Sequence, residues 1–398
     1  MTRVGIALVG PGLVGRLVLD QLSSDALQPH FELVSVSNSR YTVLHARQCA
    51  HELSMHELCA ALPSSRQSLN AADAASSEGL FSVLDLGPTQ LVQALGKRAA
   101  EMKQHIILID CTASSAYPSI YAQANSSGLS VVTPNKVAFS SAEQLYRSIV
   151  DAQNSGPSAG LCYFEAACGA GLPICTTIRD LVRTGDEIVK IEAVLSGTLS
   201  YIFNQYSVVA SETAPARPFS EIVRDAHEHG HTEPHPAEDL SGRDVARKLA
   251  ILARLSSPNA AATFDLVEGH SSIPTQSLIP DDLVSTSDPQ AFVASLAAYD
   301  ARFDRLRQEA AADSSVLRYV GVLDPKAGSI ECGLRRFPPS HPFAALSGSH
   351  ISFAIYTNRY SASPLVIQGP GYPVEVTAAA VVSDAIRVAE RFGSSFGL

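Results

Sequence analysis

None of the seven cysteines forms a Cys-x-x-Cys pair, and their irregular spacing gives no disulfide framework. Reduced thiols in a cytoplasmic protein are therefore the expected state. Basic residues are outnumbered, 29 Lys and Arg against 39 Asp and Glu, for a formal net charge of −10. That balance argues against the basic patch which a nucleic acid or an anionic membrane selects, so neither is an expected partner. Clean apolar runs of membrane-spanning length are also missing. The opening MTRVGIALVGPGLVGRLVL mimics a signal peptide through its early Arg3, but glycines and a proline break it, and Arg16 and Asp20 follow. Residues 161–178 are interrupted by Glu165, glycines and Pro173. There is no internal repeat. With 46% hydrophobic and 17% charged residues over 398 positions, the chain has material for two or three domains, each with a core.

The first 150 residues alternate short β-rich runs with helical stretches. Residues 4–9, 31–37, 82–87, 106–112 and 129–134 read as strands, and 89–102 and 117–127 as helices. This spacing predicts βαβ units and a Rossmann-type, doubly wound parallel sheet, over residues 1–160. Residues 45–80, rich in Ala and Ser, are expected to be helix and loop. Over 161–364 the pattern becomes α+β. A strand at 188–197, helices at 200–207, 243–255 and 289–313, a loop at 208–220 and several late strands predict a second domain with an open mixed or antiparallel sheet. Residues 365–398, ending in a helix at 377–392, are expected to return to the first domain.

GPGLVG (10–15) fits G-x-G-x-x-G through Gly10, Gly12 and Gly15, with Leu13 and Val14 between them. It follows a predicted strand and opens a predicted helix, the context in which glycines let backbone approach a pyrophosphate at a helix N-terminus. The end of the second strand carries no acid to hold the ribose hydroxyls of NAD. It reads Ser37, Asn38, Ser39, Arg40, and Arg40 can pair with a 2′-phosphate, so NADP is the expected cofactor, with NAD the alternative. Thr112 and Lys136, the latter in TPNK (133–136), end later strands and are expected at the nicotinamide end.

DLSGRDVARK (239–248) sets Lys248 four residues after Asp244. On a helix that is one face, and in isolation such a pair is an ordinary exposed ion pair. Together, however, TPNK, GAGLP (169–173), SGTLSYIFN (196–204), TEP (232–234), DLSGRDVARK, SHPFA (340–344) and VIQGPG (366–371) resemble the homoserine dehydrogenase family, in particular its short fungal form. The resemblance covers nearly the whole chain, which carries no aspartate-kinase segment and so looks monofunctional.

The resemblance implies reduction of L-aspartate 4-semialdehyde to L-homoserine by a nicotinamide cofactor, in a homodimer. It implies Lys248 as the acid–base residue, Lys136 as a second lysine, and Asp244 as a holder of substrate and lysine. Glu233 and Asp239 would bind the substrate's amino end, and Gly197 and Thr198 would lie by nicotinamide or substrate. Gly369 and Gly371 would belong to a C-terminal cofactor stretch. A monovalent cation such as sodium would take a side-chain oxygen of Glu165 and backbone carbonyls of Cys168, Ala170 and Leu172. Hydride arrival at an aldehyde builds charge on oxygen, which a nearby ammonium stabilises and protonates.

Two places depart from the family pattern. The G-x-G-x-G stretch reads Gly369, Pro370, Gly371, Tyr372, Pro373. A tyrosine position of fungal relatives is His231, within a cluster that also holds His227, His229 and His235. Those histidines do not have the spacing of a familiar zinc site. Cys111, beside Thr112, is a conceivable but weak candidate nucleophile. Rival readings are a reductase of another semialdehyde or imine, and a dinucleotide-binding regulator without turnover.

Overall fold

A computed structural model describes residues 3–46, 54–65, 80–209, 217–257, 259–371, 373–393 and 396. The chain forms two compact units. The first comprises Met1–Ala138, Gln144–Gly171 and Pro373–Leu398, and the second Phe139–Glu143 and Leu172–Tyr372.

Seven strands build the first unit's sheet: β1 (Val4–Val9), β2 (Phe31–Ser37), β3 (Tyr41–His45), β4 (Phe81–Asp85), β5 (Ile106–Asp110), β6 (Ser130–Val132) and β7 (Cys162–Tyr163). Their order is β4-β3-β2-β1-β5-β6-β7. β1, β2, β5, β6 and β7 are parallel, as the βαβ reading requires. The sheet is not parallel throughout. β3 runs antiparallel to both β2 and β4, because residues 38–40 make a tight turn in which Asn38 Oδ1 accepts the N–H groups of Arg40 and Tyr41. That turn leads into β3, a strand that the sequence reading does not contain. Of the expected helix and loop at 45–80, Met55–Ala60 is helical, while 47–53 and 66–79 lie outside the described residues.

β1 is buried along its whole length. Helix Leu13–Leu22 covers it with Val18, Leu19 and Leu22, and helix Val374–Arg391 adds Ala378, Val381, Ala385 and Val388 to the same core. Residues 365–370, grouped with that helix on sequence, are instead an edge strand of the second unit. VIQGP pairs along its length with a neighbouring strand, and its Gly-Pro end cannot continue into a helix.

The second unit's sheet is formed by β8 (Ile188–Val194), β9 (Val316–Asp324), β10 (Ser329–Phe337), β11 (His350–Thr357) and β12 (Leu365–Pro370), in the order β10-β9-β8-β11-β12. Every strand pair is antiparallel, so the sheet is not mixed. Helix Arg243–Ser256 buries Val245, Leu249 and Leu252 as its periodicity predicts. Gly321 makes room for it, since a Cβ there would stand 3.1 Å from Leu249 and 2.9 Å from Leu195. The expected helix 289–313 is broken into Pro289–Ser295, a 3-10 turn at Leu296–Tyr299, and Asp300–Ala312. Of the expected loop at 208–220, residues 210–216 lie outside the described residues. Among the described residues no helix is long and apolar enough to cross a membrane.

Candidate active site

In the first unit the glycine loop has the shape a pyrophosphate needs. Gly10 has φ +82°, and its N–H donates to the Ser37 carbonyl at 2.9 Å, tying the loop to the end of β2. A Cβ on Gly15 would lie 2.3 Å from the Gly10 carbonyl oxygen, so only glycine lets helix and strand approach this closely. A Cβ on Gly12 would meet nothing within 4 Å, and no side chain caps the N-terminus of helix Leu13–Leu22. Leu13 is 77% exposed beside it, and Val14 is half-buried. An open, uncapped helix N-terminus behind a glycine cradle fits a dinucleotide phosphate.

Thr112 and the turn that carries Lys136 are held by a residue that sequence reasoning missed. Asp110, the buried last residue of β5, accepts the Thr112 N–H at 2.8 Å on Oδ1. Its Oδ2 accepts the Tyr121 hydroxyl at 2.5 Å and the Asn135 amide at 3.2 Å. The Thr133 hydroxyl donates to the Asp110 carbonyl at 2.7 Å and accepts the Asn135 N–H. One carboxylate thus joins the loops after β5 and β6, the second of which carries the half-buried Lys136. Burial pushes the Asp110 carboxyl up, against these hydrogen bonds. Tyr121→Phe removes one donor from a buried acceptor, which costs about 1–3 kcal/mol. The expected result is a lower urea midpoint together with weaker cofactor binding in a titration; a variant unchanged in both would show that the clamp does nothing.

Neighbouring Cys111 is a poor nucleophile, because desolvation raises its thiol far above the neutral range. Arg40 lies over the Tyr41 ring at 4.9 Å, with Nε 3.8 Å from Asp85 Oδ2.

Also in the first unit, Glu165 is buried, with Oε2 3.6 Å from Arg387 Nη1, and its N–H donates to Asp384 at 2.8 Å. Ala170 has φ 52° and ψ −108°, breaking the short helix Ala166–Gly169, which contains Cys168. The Leu172 carbonyl accepts the Ile174 N–H at 2.8 Å in the second unit. In the first unit the buried Glu165 offers a carboxylate, the hard oxygen donor that a monovalent cation takes.

The second unit carries the lysine. Lys248 Nζ donates to the Leu195 carbonyl at 2.8 Å and lies 2.9 Å from Asp244 Oδ2. The lysine side chain is 16% exposed and the aspartate 44%. Leu195 follows β8 directly, so the amine is fixed to the strand that leads into SGT. Gly242 explains the glycine of the motif. It has φ +74°, and a Cβ there would come within 2.0 Å of the Tyr319 hydroxyl, which donates to the Gln276 carbonyl at 2.7 Å.

Asp239 Oδ2 accepts the backbone N–H of Glu233 at 2.8 Å, while the Glu233 side chain is exposed. Burial pushes the Asp239 carboxyl up to about 6; the Glu233 N–H opposes this, and the charges of Glu233 and Asp244 add to it. Thr198 donates to the His231 carbonyl at 2.7 Å. Gly197 and Gly371 abut: a Cβ on Gly371 would lie 3.4 Å from Gly197 Cα and 2.6 Å from Ile351. The Gly371 N–H donates to Ser349, and a Cβ on Gly369 would meet Leu172 at 2.8 Å. Tyr372 lies outside the described residues.

The histidines of the cluster take different partners, although the His229 and His231 rings stack at 6.5 Å. His227 Nδ1 pairs with Thr232, His229 Nδ1 with the Asp225 carbonyl and His235 Nε2 with the Thr286 carbonyl, while the His231 ring packs 4.3 Å from Tyr201. Among the described residues no group of three side chains is placed to hold a metal ion.

Comparison with known proteins identifies the family and the fold. The family description "Homoserine dehydrogenase" matches residues 173–386, and "Homoserine dehydrogenase, NAD binding domain" matches residues 10–159. The chain is 35% identical to a homoserine dehydrogenase of Saccharomyces cerevisiae over 98% of both chains, and 41% identical to one of Schizosaccharomyces pombe over 73% of this chain and 74% of that one. Among solved structures, a Candida auris protein of unknown function superposes with a TM-score of 0.84 at 35% identity, covering 98% of this chain and 99% of that one. A hyperthermophilic archaeal homoserine dehydrogenase mutant in complex with NADPH shares the fold at 20% identity, with a TM-score of 0.63 over 98% of each chain. The two family descriptions together cover most of the chain, and the yeast enzyme is 35% identical over nearly all of both chains: the chain belongs to the homoserine dehydrogenase family of NAD(P)-dependent oxidoreductases.

Proposed function

We propose that Lys248 is the acid–base residue in the interconversion of L-aspartate 4-semialdehyde and L-homoserine. The observation that carries this reading is the anchoring of its amine by Leu195 O and Asp244 in a mostly buried position. The nicotinamide, when bound, supplies or accepts the hydride. In the reductive direction Lys248 donates a proton to the oxygen on which charge develops, and in the oxidative direction it takes the hydroxyl proton. Lys136 supports the same charge from the TPNK turn. Asp244 orients the lysine, and Asp239 and Glu233 bind the substrate's ammonium group. Gly197 and Thr198 shape the substrate end, and Gly369 and Gly371 admit backbone close to the cofactor.

Gly10, Gly12, Leu13, Val14 and Gly15 hold the pyrophosphate, Thr112 lies at the nicotinamide end, and Arg40 pairs with the 2′-phosphate, favouring NADP over NAD. Glu165, Cys168, Ala170 and Leu172 hold a monovalent cation such as sodium. The working form is a homodimer, and the site of action the cytoplasm.

The test is the absorbance of NADP⁺ incubated at alkaline pH with L-homoserine, with D-homoserine as control and NAD⁺ in parallel. Reduction by the L-isomer alone is expected. A folded, NADP-binding protein that ignores L-homoserine would overturn the reading.

Asp239 gives a pH dependence. The substrate's ammonium pairs with the carboxylate form only, so affinity is lost as pH falls through about 6. kcat/KM for homoserine is expected to drop toward tenfold per pH unit below that point. Asp239→Asn should give a low value without this limb. An unchanged limb in that variant would assign the titration to another group.

A further inference from the structure

We propose that Asp85 sets the balance between NADP and NAD at this site. The inference rests on the reading of Arg40 as the partner of the 2′-phosphate.

The sequence offers no acid at the end of β2, but the fold brings one there from another strand. β3 is antiparallel to both β2 and β4, so Ser37 at the end of β2, Tyr41 at the start of β3 and Asp85 at the end of β4 share one edge of the sheet. Tyr41 and Asp85 are register partners. The Gly10 N–H bonds to the Ser37 carbonyl, so the glycine loop opens at this same edge. Asn38 fixes the turn, Arg40 rests on the Tyr41 ring, and its Nε stands 3.8 Å from Asp85 Oδ2.

The pair is 46% and 67% exposed, and ion pairs of that kind contribute little in water. Asp85 therefore does not lock Arg40. Its charge still acts on whatever Arg40 meets. A 2′-phosphate dianion must share Arg40 with a carboxylate and is repelled by it. A ribose 2′-hydroxyl has no such penalty, and it can donate to the carboxylate as it does to the acid in NAD-preferring folds. Arg40 and Asp85 thus pull in opposite directions, and the preference for NADP is moderated.

The experiment measures calorimetric Kd values for adenosine 2′,5′-bisphosphate and for ADP, and for NADPH and NADH, with the parent protein and the variants D85N, D85A and R40A. Both Asp85 variants should bind the bisphosphate and NADPH about three- to tenfold more tightly relative to ADP and NADH. The kcat/KM ratio for NADP⁺ over NAD⁺ should move the same way. R40A should lose the discrimination. If the Asp85 variants leave the Kd ratios within twofold while R40A loses NADPH, the proposal fails and the Arg40 reading stands. If R40A also leaves the ratios unchanged, the Arg40 reading fails and takes the proposal with it.

Discussion

Lys248→Ala is expected to lower kcat by about 10²–10⁴ while the fold and cofactor binding survive. The size of the loss separates the two meanings of the Asp244–Lys248 pair. An i,i+4 ion pair on a helix contributes about 0.3–0.5 kcal/mol to stability and nothing to turnover. The geometry permits a clean test, because Asp244 is nearly half exposed and can be hydrated once the lysine is gone. The buried Leu195 carbonyl loses a donor, which costs about 1–3 kcal/mol and should not unfold the chain. Lys248→Arg keeps the charge but cannot give up a proton in the working range, so its kcat should fall by a comparable factor. The measurements are initial rates in both directions, NADPH titration, and a urea curve for each variant. A folded Lys248→Ala enzyme within threefold of the parent rate would return the pair to an ordinary helix contact.

Gly242→Ala is expected to cost about 2–5 kcal/mol, with kcat falling at least tenfold. Two penalties combine. The residue has φ +74°, where a side chain costs about 1–2 kcal/mol. The new methyl would also sit 2.0 Å from the Tyr319 hydroxyl and 2.9 Å from Thr275, and overpacking a filled interior costs about 1–3 kcal/mol. The cheapest relief displaces the first turn of helix Arg243–Ser256, which carries Asp244 one turn before Lys248. In the double variant with Tyr319→Phe the closest contact disappears but the backbone strain does not, so part of the stability should return. Equal stability of Gly242→Ala and the parent in urea would contradict the steric account.

These two sites show what a linear reading can and cannot recover. Strands β1 and β2 were legible because buried parallel strands are continuous apolar runs, and helix Arg243–Ser256 because its apolar residues repeat with helical period. β3 was missed because YTVLH has no flanking signal other than a turn that was read for its chemistry. Helix 289–313 was over-extended because a 3-10 turn leaves the apolar pattern nearly in phase. At the candidate site, Lys248, Asp244 and Asp239 sit in one motif, and the family resemblance that motif carries is what makes them candidates. Their partners could not be read from it. Leu195 is 53 residues from Lys248, Asp85 is 45 from Arg40, and Asp110 meets Asn135 across 25. Side-chain hydrogen bonds between distant segments leave no periodicity. Asp110 in particular looks like one more residue in a strand that ends in DCT.

The return of helix Val374–Arg391 to the first unit bears on the order in which the protein can be made. Val381, Ala385 and Val388 complete a core begun by Val4, Ile6 and Leu8, and Asp384 receives the N–H of Glu165 from 219 residues away. A ribosome delivers the chain from its N-terminus, so the nucleotide-binding sheet is synthesised first and sealed last. The second unit, whose segments lie between these ends, is fully translated before that seal exists. Until the final helix emerges, the apolar face of β1 and helix Leu13–Leu22 is left partly uncovered, which is the condition under which nascent chains recruit chaperones or aggregate.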